Sequence, residues 1–110
     1  MRKYNYVDLR DKNDLGVVGI AYSIQHIYTD RDEKVVSVLD LQDYGDYWGF
    51  GQVAWDMPKS YNEDQIISET LRRLNDVEYA GQGTGIAGTK EQILADFKEF
   101  SGLDIKLWLC

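Results

Sequence analysis

Between positions 17 and 28 the even residues are Val18, Ile20, Tyr22, Ile24, His26 and Tyr28, while the odd ones include Gly19, Ala21, Ser23 and Gln25. A period of two is the repeat of a strand with one buried face, so this run predicts a long strand. Upstream, Tyr4, Tyr6, Val7 and Leu9 predict a short strand over 3–9. Downstream, a polar turn at 30–33 precedes the β-branched run KVVSVLDL at 34–41, which together read as a hairpin. A second turn signal from Asp43 to Asp46 leads into YWGFGQVAW at 47–55, an aromatic-rich strand in which Gly49 and Gly51 permit a bulge or a close approach.

Pro58 ends the sheet region, and the apolar repeat then lengthens. Ile66, Ile67, Thr70, Leu71 and Leu74 share one face of a helix over 61–76, with a capping box expected from Ser60 to Glu63. Ile93, Leu94, Phe97 and Phe100 form the stripe of a second helix over 90–101, opened by a Thr89 to Gln92 capping box and stopped by Gly102. Leu103, Ile105, Leu107 and Leu109 alternate with Asp104, Lys106 and Trp108 and predict a last strand. Strands first and helices afterwards give an α+β fold: a mostly antiparallel sheet of four to five strands with two helices packed on one face. A chain of 110 residues is the size of one ordinary domain, so 1–110 is expected to form a single one.

Charge narrows the partners. Nineteen acidic residues against 12 basic ones give a formal net charge of -7, shared by both halves of the chain. That balance repels nucleic acid and anionic membranes, so neither is an expected partner. The only cysteine is Cys110, which excludes an intramolecular disulfide and a cysteine-rich metal site and fits a reducing compartment. The basic N-terminus reaches Asp8 without an apolar run, so no secretory signal is expected there, and no stretch approaches membrane-spanning length. The expectation is a cytoplasmic protein.

Gly83, Gly85 and Gly88 have the G-x-G-x-x-G spacing of a phosphate cradle. A dinucleotide fingerprint needs a strand leading directly into those glycines inside a βαβ unit, and here the tail of a helix precedes them. The P-loop order also fails, because Thr89 precedes Lys90 and the lysine and hydroxyl are exchanged. The expected role of 81–88 is a connector of positive-φ turns between the helices, with no cofactor bound; an anion held on the loop amides is the competing reading.

Catalytic chemistry is sparsely represented. His26, the only histidine, falls in the apolar register of its strand and reads as a core or cross-strand residue. Cys110 stands at the last position, where no base is assigned to it. Asp40, Asp43 and Asp46 recur every third residue but lack the ligand pattern of a calcium loop, so no metal and no catalytic residue is assigned.

The most informative stretch lies between Lys34 and Lys59, which contains no positive residue. Asp40, Asp43, Asp46 and Asp56 are interleaved there with Tyr44, Tyr47, Trp48, Phe50 and Trp55. Aromatic anchors supply contact area at low entropic cost and acids steer association, which together suit a basic protein surface. Asp40, Asp43, Tyr44, Asp46, Tyr47, Trp48, Trp55 and Asp56 are therefore the candidate protein-binding residues. The functional expectation is a small non-enzymatic inhibitor that masks a basic, nucleic-acid-handling target, in the manner of phage counter-defence or immunity proteins. The alternative is a small-molecule binder, with nucleotide at 81–88 or sugar stacked on Tyr47, Trp48 or Trp55.

Overall fold

The computed structural model describes residues 4–14, 16–76 and 84–105. Five antiparallel strands, β1 (Asn5–Asp8), β2 (Val17–Ile27), β3 (Glu33–Asp43), β4 (Trp48–Pro58) and β5 (Thr84–Gly88), stand in sequence order across one sheet. Helix α1 (Glu63–Leu74) lies in the chain between β4 and β5, and α2 (Lys90–Ser101) follows β5. The α+β fold with a five-stranded antiparallel sheet is the one expected from the pattern of the chain.

The helices do not share a face. Ile66 and Ile67 of α1 pack in one cluster with Ile20, Tyr22, Val36, Val38, Trp55 and Met57. Ile93, Leu94 and Phe97 of α2 pack in a second cluster with Ala21, Leu39 and Leu41, against which Trp48 and Phe50 also rest. On β3 the first cluster takes the even positions and the second takes the odd ones, and alternate residues of a strand point to opposite faces. The sheet is thus covered on both sides. This corrects the one-face expectation, and its cause is visible in β3, where 36–41 are buried without interruption instead of alternating.

Local chemistry fixes the elements. The Tyr22 hydroxyl donates to the Glu63 carboxylate at 2.6 Å, tying β2 to the first turn of α1. Lys34 is buried, and its ammonium donates to the backbone carbonyls of Lys59 and Tyr61 at 3.1 and 2.7 Å, which holds the β4–α1 connection. The cap of α1 is Asn62 paired reciprocally with Gln65, two residues later than the expected Ser60 box. Thr89 and Gln92 form the expected box at α2, and Gly102 closes that helix with φ 77.

Two further readings change. A register shift between Ile24 and His26 inserts an extra residue, so His26 pairs with Val35 and turns outward against Tyr28, with ring centroids 4.9 Å apart. It is exposed, not a core histidine. Gly85 and Gly88 are not positive-φ turns; they belong to β5, paired with Gly51 and Trp48. Of the strand expected over 103–109, residues 103–105 carry no strand, Ile105 is buried in the α2 cluster, and 106–110 lie outside the described residues, as do 81–83 of the glycine loop.

Candidate functional site

The β3–β4 turn is where the interleaved aromatic and acidic residues come to the surface. Asp43 pairs with Trp48 as the last rung of the ladder, leaving 44–47 as the loop. Gly45 takes φ 92, a conformation that disfavours a side chain, and its N–H donates to the Asp43 carboxylate at 2.8 Å. The Tyr44 N–H donates to the Tyr47 carbonyl at 3.0 Å, and the Asp43 N–H to the Gly16 carbonyl at 3.0 Å. The loop is thereby braced from within and from the β1–β2 connection.

On this base Tyr44 and Tyr47 stack with centroids 4.9 Å apart and planes 25° from parallel, at 53% and 47% exposure. Asp43 and Asp46, each the residue before one of these tyrosines, are exposed as well. The Tyr44 ring lies against Gly49, where an added Cβ would come within 3.2 Å of it. Its hydroxyl donates to the Gln42 side-chain carbonyl, and the Gln42 amide donates to the Asp40 carboxylate at 2.8 Å. Burial pushes the Asp40 carboxyl up to about 6, against the opposing pull of its hydrogen bonds. Burial and then the nearby Asp40 charge raise the Tyr44 phenol above its ordinary value.

The eight candidate residues therefore do not form one surface. Asp43, Tyr44, Asp46 and Tyr47 come together at the tip, with Trp48 half-buried behind them and the Lys90 ammonium 5.3 Å from its ring centroid. Asp40, at 7% exposure, is an interior acid that no surface partner can touch directly. Trp55, also at 7%, belongs to the α1 cluster, with the Arg73 guanidinium 5.3 Å from its ring. Asp56, at the far end of β4, is exposed and accepts from the Tyr28 hydroxyl at 3.4 Å. Trp55 was misplaced because the face opposite α2, expected to be bare, is roofed by α1.

A second surface escaped the sequence reading. An open groove of about 560 Å³ runs between the β4–β5 ladder and α2, lined by Phe50, Gln52, Gly85, Ile86, Asp96, Glu99 and Phe100. Phe100 was expected in the helix core but is 48% exposed, and Ile86 is 46% exposed. The available signal was the last turn of the α2 stripe, where Phe100 overhangs a strand whose one large side chain is Ile86.

At the α2 N-terminus, the Gln92 amide donates to Thr89 Oγ1 and the Thr89 amide to Gln92 Oε1, so the capping box already uses two of the N–H groups an anion would need. Among the described residues no cluster of three or more histidine, cysteine, aspartate or glutamate side chains is arranged to hold a metal. No described helix is long and apolar enough to cross a membrane. Comparison of the chain with protein families, curated proteins and solved structures gives no match.

Proposed function

We propose that the chain is a non-enzymatic binding protein that docks its β3–β4 tip on a basic protein surface and masks it. The observation that carries this reading is the stacked Tyr44–Tyr47 pair, half-exposed on a braced turn that also carries Asp43 and Asp46. Rings held in place before contact lose little freedom on binding, which is the condition for a hot spot. The two carboxylates and the net charge of -7 favour approach to a cationic partner and disfavour nucleic acid.

The test is capture from the tip. A photo-crosslinking residue placed at Tyr47 in the full chain is irradiated in lysate of the native host, and captured proteins are identified by mass spectrometry. The expected result is a protein with a basic surface whose capture is lost when Asp43 and Asp46 are changed to lysine. Capture unaffected by that charge reversal, or none above a crosslinker placed at exposed Ser68 of α1, sinks the reading.

A further inference from the structure

Among the described residues β5 has a partner on one side only, β4. The Ile86 carbonyl faces β4, 3.0 Å from the place a Cβ on Gly49 would occupy, and the Phe50 carbonyl faces back, 3.6 Å from such a position on Gly85. Backbone groups alternate in direction along an antiparallel strand, so the N–H and C=O of Gly85 and Ala87 point outward from the sheet. Both residues are exposed, and neither has a side chain larger than a methyl group. Natural edges are blunted by lysine, proline, an inward charge or a bulge. The segment TGIAG has none of these, and its register with β4 is unbroken from Thr84 to Gly88.

The groove adjoins this edge on the α2 side. Ile86 and Phe100 give it an apolar floor, and Asp96 and Glu99 of α2 supply acids along it. Lysine and arginine suit such a lining, because their stems lie on apolar surface while the charge reaches a carboxylate. A second copy of this chain does not: pairing two β5 edges brings together two chains of formal charge -7, each with acids beside the edge.

We propose that the β5 edge and its groove bind an extended basic segment of a partner protein as a sixth strand. The segment exchanges backbone hydrogen bonds with Gly85 and Ala87, and every second residue, lysine or arginine, lies across Ile86 and Phe100 toward Asp96 and Glu99. Strand addition of this kind draws affinity from the main chain and selectivity from the alternate side chains. The surface is separate from the tip and rests on its own observations.

The probe is an end-capped peptide of alternating lysine and threonine, about eight residues long, the reach of one strand. Its controls are the glutamate–threonine counterpart and a lysine–threonine peptide methylated on alternate backbone nitrogens. Calorimetry and amide shifts of the isotopically labelled full chain are recorded. Shifts should fall on Gly85, Ile86, Ala87 and Phe100, and both controls should bind about tenfold more weakly or worse. Changing Asp96 and Glu99 to lysine should reverse the preference between the lysine and glutamate peptides. Equal binding of the methylated peptide overturns the proposal, as does self-association of the free chain through β5. Shifts confined to Tyr44 and Tyr47 overturn it while leaving the tip reading intact.

Discussion

Val38 and Leu39 are successive residues of β3, both fully buried, yet Val38 packs with Ile66 of α1 and Leu39 with Phe97 of α2. Two clusters on opposite sides of a backbone sheet share no side-chain contacts, so their mutational costs should be independent. Ile66→Val and Ile93→Val are each expected to cost about 0.5–1.5 kcal/mol. In denaturant unfolding the double variant should equal the sum within about 0.5 kcal/mol. A larger coupling would mean that the helices meet on one face.

Asp40 opposes folding at neutral pH. Its folded value, about 6, lies above the ordinary 3.8, so the folded chain holds this proton after the unfolded chain has released it. Below both values the group contributes nothing; stability falls as pH rises between them and levels off above. A shift of that size corresponds to about 3 kcal/mol as an order of magnitude. Asp40→Asn keeps an oxygen for Gln42 and should gain about 1–3 kcal/mol above about pH 7, with little change below about pH 4. Unfolding curves of both chains across this range check it, and a pH-independent difference would contradict it.

At the tip, charge and ring should act on different rate constants. Asp43→Lys with Asp46→Lys should slow association with the captured partner and weaken its salt dependence, since such charges are screened over about 8–10 Å. Tyr47→Ala should leave association nearly unchanged and speed dissociation, costing about 2 kcal/mol if the ring is an anchor. Surface-based kinetics separates the two, with circular dichroism confirming each fold.

The helix ends give a sharper structural check. Asn62→Ala should cost about 1 kcal/mol and Ser60→Ala close to nothing, because the side chain that accepts from Gln65 belongs to Asn62. Gly102→Ala should cost about 1–2 kcal/mol, since φ 77 puts a Cβ too close to the following carbonyl. Thermal melts suffice for all three.

Much of this was legible in the chain because it is local. The strand β2, the Thr89–Gln92 box and the Gly102 stop depend on neighbours within a few positions, and all three appear in the structure, although β2 is buried on both faces from Val17 to Ser23 instead of on the one its alternation implied. What failed to show depends on the other side of the sheet. Alternation cannot announce a strand buried on both faces, so β3 did not reveal that α1 and α2 lie apart. β5, with Ile86 as its one large side chain, carries almost no period, and a bulge at His26 reverses a register that the sequence repeats without a break. The tip was found as composition, but which of its aromatics reach solvent depends on α1, whose packing turns Trp55 inward.

The strand order has a consequence for how the chain assembles. β1 to β4 follow one another as adjacent hairpins, so each pairing closes a short loop, whereas β5 reaches β4 only after the chain has run out through α1 and back. Closing that longer excursion costs more chain entropy before any contact returns it. The β2–β3–β4 meander should thus form early and β5 with α2 late. Amide protons of β3, paired on both sides and covered on both faces, should exchange with solvent only on global unfolding, while those of β5 exchange through a smaller opening. A low opening cost would suit the edge to its proposed use: the strand expected to pair last in the free chain is the one an incoming segment would extend.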